Sequence, residues 1–189
     1  EALEIAHSAS TVVFDKTGTL TAGRPALVAF EPVSGDAKTL LARASALQKG
    51  SEHPLARAVI ERARTDGIDP AIADAVKALP GRGIQGNIDD SIYYLGSARL
   101  MRELNIDTAP LQARAAQLES EARTISWLAH ERDGQRELIG LLAFGDNIKP
   151  SAQRAVQRLR DQHIRTVLLT GDTEGSARGV AESLGIDTY

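Results

Sequence analysis

Thr11-Val12-Val13-Phe14-Asp15-Lys16-Thr17-Gly18-Thr19-Leu20-Thr21 is the stretch whose reading decides the fold. Its first four residues are β-branched or aromatic and carry no charge, and the run stops abruptly at Asp15. That pattern predicts a short buried parallel strand, because a strand covered on both faces loses the polar alternation of a half-exposed one. In open α/β sheets, functional groups gather at the C-terminal ends of such strands, where the next loop turns over the sheet edge. Asp15 is at that point. Behind it come a glycine, which lets backbone approach a ligand, and the hydroxyls of Thr17, Thr19 and Thr21. A carboxylate so placed can act as nucleophile on phosphorus, while N–H groups and a divalent cation neutralise the transferring oxygens. An isolated Asp-x-x-Gly, by contrast, is ordinarily a turn opener.

A matching strand lies far along the chain. Thr166-Val167-Leu168-Leu169 follows a helix expected from about Ser151 to Gln162 and precedes Thr170-Gly171-Asp172 and a helix ending before Gly185. Packing the Thr166 strand beside the Thr11 strand makes the intervening stretch an insertion into a split domain. The expected divisions are 1–23, 24–144 and 145–189. Two strands are too few for a stable α/β sheet, and Ile186-Asp187-Thr188-Tyr189 stands where a third would begin, so the sequence reads as cut from something longer.

The inserted stretch predicts helices on an antiparallel sheet. Leu40, Leu41, Ala44 and Leu47 recur at helical spacing behind Asp36 as cap, and Pro54 opens a second helix with Leu55, Val59 and Ala63 on one face, ended by Gly67. Ile84–Ile88 and Ile92–Leu95 flank Asp89-Asp90 as a hairpin, Leu111, Ala115 and Leu118 mark a helix, and Thr124–Ala129 with Leu138–Phe144 form a second hairpin around Asp133-Gly134. Tyr93, Tyr94 and Trp127 on these strands read as core rather than as stacking platforms for a base.

Composition removes whole classes of function. The chain has 189 residues, 42% hydrophobic and 25% charged, the values of a globular protein. A net charge of -3 gives no general attraction to polyphosphate, so nucleic acid is not an expected partner. With no Cys and four His there is neither a disulfide framework nor the makings of a structural zinc site. The longest apolar run, Leu138 to Phe144, is far below the roughly 20 residues that cross a bilayer. Arg154, Arg158, Arg160 and Arg165 read as a solvated face.

DKTGTLT from Asp15 to Thr21 resembles, at every position, the phosphorylation motif of the P-type ATPases. The resemblance implies that Asp15 forms an aspartyl phosphate from ATP, that Thr17 offers its carbonyl to Mg2+ and its side chain to the phosphate, and that Lys16 and Thr19 line the site. Haloacid-dehalogenase-like phosphatases share the nucleophile but usually carry a second Asp two positions later as acid and base. Here that position is Thr17, which cannot usefully shuttle a proton near neutral pH and so favours a lasting acyl phosphate. Thr170-Gly171-Asp172 is similar to the family's TGD segment, and Asp146 and Lys149 in Asp146-Asn147-Ile148-Lys149-Pro150 are similar to its D-x-x-K-P hinge; as sequence alone, the latter two serve equally well as a loop support or surface ion pair.

Ser51-Glu52-His53-Pro54-Leu55-Ala56 resembles the SEHPLA signature of the heavy-metal-transporting class, in which the His orients ATP; without that resemblance a His before Pro reads as a helix cap. Gly81 and Gly83 match the class's G-x-G and would face the nucleotide. Gln48 stands where the class often has Glu, and Ser97 where Asn is common; both can still hydrogen-bond. The resemblance therefore implies an α/β haloacid-dehalogenase-like, Rossmann-type phosphorylation domain, incomplete at its C-terminus, with an inserted α+β nucleotide-binding domain on an antiparallel sheet. Its cofactors would be ATP and Mg2+. Its partner would be the rest of its own pump, including transmembrane metal-binding helices, and it would stand on the cytoplasmic side of a membrane. Copper(I) is the expected cargo, with zinc, cadmium and cobalt open, and the isolated chain is expected to be monomeric with little turnover. The alternatives are a phosphatase of the same superfamily and a nonenzymatic nucleotide-sensing module.

Overall fold

In the computed structural model, which describes residues 9–171 and 174–189, the chain forms two units. The first comprises residues up to Arg24, Ser120–Ala122 and Asp146–Tyr189; the second comprises Pro25–Glu119 and Arg123–Gly145.

In the first unit, β1 (Thr11–Asp15) pairs in parallel with β8 (Arg165–Leu169), with Val13 opposite Val167 and Asp15 opposite Leu169. Thr188 adds a single parallel bridge to Val167. Helices α5 (Pro150–Asp161) and α6 (Glu174–Leu184) supply Ala152, Val156, Ala177, Ala181 and Leu184 to a core with Leu20, Leu168 and Ile186, against which Phe14 packs. Pro150 opens α5 at a first-turn position, where its missing N–H costs nothing.

The expectation of a strand buried on both faces is corrected here. Phe14 packs on the core, but Val13 is 57% exposed and Leu169 68% exposed. An uncharged run cannot distinguish one covered face from two.

The second unit is a six-stranded sheet in the order β2-β7-β6-β5-β4-β3. Its strands are β2 (Thr21–Pro32), β3 (Asp74–Leu79), β4 (Gly83–Ile88), β5 (Ser91–Gly96), β6 (Thr124–Arg132) and β7 (Gln135–Ile148). The ladder from β3 to β7 is antiparallel throughout. Both hairpins form where expected, at Asp89-Asp90 and Asp133-Gly134.

Alternation along the central strands sends neighbours to opposite faces. Tyr93, Leu95, Leu128, Leu142 and Phe144 face one core, with Leu40, Leu41 and Leu47 of α1 (Ala37–Gln48) and Val59 of α2 (Pro54–Thr65). Tyr94, Trp127, Ala129, Leu141 and Ala143 face a second, with Met101 of α3 (Ala98–Glu103) and Ala115 and Leu118 of α4 (Ala109–Ser120). Helices on both sides explain the unbroken apolar run of β7. The aromatic residues are core, as expected: Trp127 is 2% exposed.

Candidate phosphoryl-acceptor and nucleotide sites

Parallel pairing ends β1 and β8 at the same edge. Asp15 lies opposite Leu169, so the loop beginning at Lys16 and the segment Thr170-Gly171 leave the sheet side by side. Asp15 and Thr17 are exposed, whereas Lys16 is buried. The Lys16 ammonium donates to Ser176 Oγ on α6 at 3.1 Å, which ties the loop to that helix. Lys16–Leu20 winds as a wide turn that is non-helical at Thr17 and Gly18, and the Gly18 φ of 78° is the left-handed conformation that favours glycine. Asp172, an expected site residue, lies outside the described residues; Gly171 is exposed.

Asp146 and Lys149, for which sequence left a loop or ion-pair role open, hold this loop from the other chain segment. The Asp146 carboxylate accepts from the buried Thr21 hydroxyl at 2.5 Å and from the Gly23 N–H at 3.0 and 3.1 Å. The Thr21 hydroxyl also lies 3.1 Å from the Lys16 carbonyl. The Lys149 ammonium donates to the Gly18 carbonyl, and its backbone N–H donates to the Leu20 carbonyl at 2.8 Å. The loop backbone and the Lys16 and Thr21 side chains are thus tied down, while Asp15 is exposed.

Asp15 and Thr17 suit Mg2+ by donor chemistry, a carboxylate and a hard carbonyl oxygen. Among the described residues there is no cluster of three His, Asp or Glu side chains that could hold a metal alone.

In the second unit, the expected nucleotide residues fall in two places. At the α1–α2 turn, Gln48 ends α1, Glu52 is exposed, and His53 caps α2 by accepting the Leu55 N–H on Nδ1 at 3.2 Å. That bond directs Nε2 away from the helix. At one end of the β4–β5 hairpin, Gly83 lies opposite Gly96, and Ser97 N–H donates to the Arg82 carbonyl at 2.9 Å. Gly81, Gly83 and Ser97 are thereby brought together. Among the described residues, no hydrogen bond joins the two groups.

Sequence reasoning missed two contributors here. Gly96 is required for the close approach of the two strands: a Cβ there would meet the Arg82 carbonyl oxygen, with Gly83 Cα at 3.0 Å and Leu100 Cδ2 at 2.9 Å. The short helix α3 supports the glycine turn from outside. Ser97 Oγ caps it by accepting the Leu100 N–H at 3.4 Å, and Glu103 near its end accepts from Arg99 and, at 3.0 Å, from Arg82, between the two glycines. Those two guanidinium groups, Arg99 first, hold the Glu103 carboxyl below its ordinary range. The Ser97 cap was legible as a small hydroxylic residue before a helical segment.

An exposed aspartate ending the first of two parallel strands, followed by a glycine-containing loop, is the arrangement of the haloacid dehalogenase-like hydrolases. The family model of that description matches residues 9–189, and the chain belongs to that family. Within it, the similarity is to the metal-transporting P-type ATPases. The chain is 42% identical over 187 residues to a copper-exporting P-type ATPase of Staphylococcus haemolyticus, covering 99% of this chain and 22% of that protein. It is 40% identical over 190 residues to a copper-transporting P-type ATPase of Rhizobium leguminosarum, again 99% and 22%. The crystal structure of a zinc-transporting PIB-type ATPase superposes with a TM-score of 0.88 at 28% identity, covering 100% of this chain and 30% of that one. The chain therefore spans under a third of the length of each of these three proteins. Among the described residues, no helix is long and apolar enough to cross a membrane.

Proposed function

We propose that this chain is the nucleotide-binding and phosphoryl-accepting region of a heavy-metal-transporting P-type ATPase, acting on the cytoplasmic side of the membrane and coupled to the transmembrane helices of its own pump. A carboxylate oxygen of Asp15 attacks the γ-phosphorus of ATP; the bond to the bridging oxygen breaks, ADP leaves, and Asp15 carries the phosphoryl group as a mixed anhydride. Asp15 and Thr17 would hold a Mg2+ ion, which when bound would supply charge neutralisation on the phosphate oxygens.

What carries this reading is the placement of Asp15 at the strand edge beside Thr170, on a loop tied down at Thr21, Gly23 and Gly18. Thr17 has no titrating carboxylate with which to activate water, and this favours a phosphoenzyme that persists long enough to drive a conformational cycle. His53 Nε2, Gln48 and Glu52 would orient the nucleotide, with Gly81, Gly83 and Ser97 admitting it close to backbone; Lys16, Thr170, Gly171 and Asp172 would serve the phosphoryl site. Copper(I) is the proposed cargo, on the identity to the copper-exporting relatives.

The test is calorimetric titration of a nonhydrolysable ATP analogue into the chain, His53→Ala and Asp15→Asn. Binding weakened at least about tenfold in His53→Ala and retained in Asp15→Asn is expected, a tenfold change being about 1.4 kcal/mol. A folded parent that binds no nucleotide overturns the assignment of the second unit. Rapid hydrolysis of small phosphate esters by the chain would instead identify a phosphatase.

A further inference from the structure

At the edge of the first unit opposite Asp15 lies an open depression of about 390 Å3, lined by Arg160, His163, Ile164, Arg165 and Asp187. Arg165 opens β8 and Leu169 closes it, so the depression is separated from the phosphoryl-acceptor edge by about 13 Å along the strand.

Both guanidinium groups are exposed, and neither forms an ion pair among the described residues. Arg165 donates to Thr188 Oγ1 at 3.0 Å. Arg160 lies over Gly185, with a guanidinium nitrogen where a side chain at that position would have to stand. The acid that shares the depression is already engaged. Asp187 Oδ2 accepts from the Thr166 N–H at 2.8 Å and the Thr166 hydroxyl at 3.0 Å. Those hydrogen bonds, followed by the nearby Arg160 and Arg165 charges, keep its carboxyl below the ordinary range. Two guanidinium groups and an exposed imidazole against one engaged carboxylate leave an excess of donors and of positive charge facing this open depression.

We infer that this depression binds a phosphate monoester group, gripped by Arg160 and Arg165 with His163 as a third donor. Guanidinium forks match phosphate oxygens in pairs, and three donors suit a three-oxygen anion better than a carboxylate. The volume falls within the range of small-ligand sites, and the open mouth leaves room for whatever the phosphate is esterified to. The site is independent of the nucleotide and of Asp15. A soluble phosphate and a membrane lipid headgroup offer the same chemistry, and the experiment distinguishes them.

The chain is titrated with inorganic phosphate while the backbone amides of Arg165, Thr166 and Asp187 are followed by NMR. Saturable shifts with a dissociation constant of about 1 mM or tighter are expected. Arg160→Gln, which keeps the stem over Gly185, and Arg165→Ala should each weaken binding at least about tenfold, a change worth about 1.4 kcal/mol. Arg154→Ala on the same helix and Asp15→Asn should leave the shifts at these amides unchanged. In parallel, the chain is sedimented with phosphatidylcholine vesicles with and without phosphatidic acid. Cosedimentation that requires phosphatidic acid and is lost in Arg160→Gln/Arg165→Ala identifies the lipid source; saturable phosphate shifts without cosedimentation identify a soluble one. The inference is overturned if neither phosphate nor phosphatidic acid engages these residues, or if folded Arg160→Gln and Arg165→Ala bind as the parent does.

Discussion

Replacing Gly96 by Ala tests how the glycine turn of the second unit is held. In the native arrangement the strands close at the Gly83–Gly96 pair. The new Cβ would sit against the Arg82 carbonyl oxygen, 2.9 Å from Leu100 Cδ2 and 3.0 Å from Gly83 Cα. Carbon atoms pack at about 3.5–4.0 Å, so the two carbon contacts fall short by roughly 0.5–1 Å. Leu100 is 3% exposed and has little room to yield, which leaves the backbone at Arg82 and Gly83 to move. Overpacking of this kind costs about 1–3 kcal/mol, and loss of the hydrogen bond from Ser97 N–H to the Arg82 carbonyl adds about 0.5–1.5 kcal/mol. The expected loss is therefore about 1.5–4.5 kcal/mol. Denaturant unfolding of parent and variant reads the stability, and calorimetry with the ATP analogue reads the site. Because the displaced backbone is the G-x-G turn itself, affinity should fall at least about tenfold even where the variant is fully folded. A variant within about 0.5 kcal/mol of the parent and with unchanged affinity would refute the close-approach argument.

Other outcomes follow from the same structure. Asp146→Ala leaves the fully buried Thr21 hydroxyl without its carboxylate and should cost about 1–3 kcal/mol in unfolding experiments; combined with Thr21→Val the losses should be less than additive, and full additivity would deny the contact. Asp187 is held below the ordinary carboxylate range, so its contribution to stability is complete above about pH 4 and is lost as the pH falls through its folded value. The gap in melting temperature between the parent and Asp187→Asn should accordingly stay constant from neutral to mildly acid pH and shrink below that, and a gap that widens in acid would contradict the assignment. Trp127→Ala should cost about 3–5 kcal/mol, and because Trp127 is 2% exposed its fluorescence should not respond to bound nucleotide.

Much of the architecture was legible because local chemistry and tertiary need coincide. Asp36 caps α1 through its carboxylate, Pro54 opens α2, and the turns at Asp89-Asp90 and Asp133-Gly134 stand where turn residues interrupt apolar strands. The elements without an expectation are those whose pattern is masked. β2 carries Gly23 and Pro25, ordinarily strand breakers, and tolerates them at the edge of the sheet; β3, at the other edge, is exposed along almost its whole length and shows no alternation. α3 is only six residues long, too short to display a period.

For the site, the division runs between residue chemistry and distance. The sequence by itself determined that Asp15 ends an uncharged run before a glycine-containing loop, that His53 precedes a helix, and that no thiolate chemistry is available. The expected pairing of the Thr166 strand beside the Thr11 strand is found, but the register that sets Asp15 opposite Leu169, and so brings Asp15 and Thr170 to one edge across some 150 residues, was decided by tertiary structure. Tertiary structure also decided that Asp146 and Lys149 clamp the loop, that Gly96 must lack a side chain, and that Arg160 and Arg165 face one open depression with Asp187, whose carboxylate is engaged by Thr166. Residue type, spacing and local preference specify which groups a segment offers. Which of those groups meet, and which are left unpaired, is set by strand register and helix packing over long separations, and no local pattern encodes those distances.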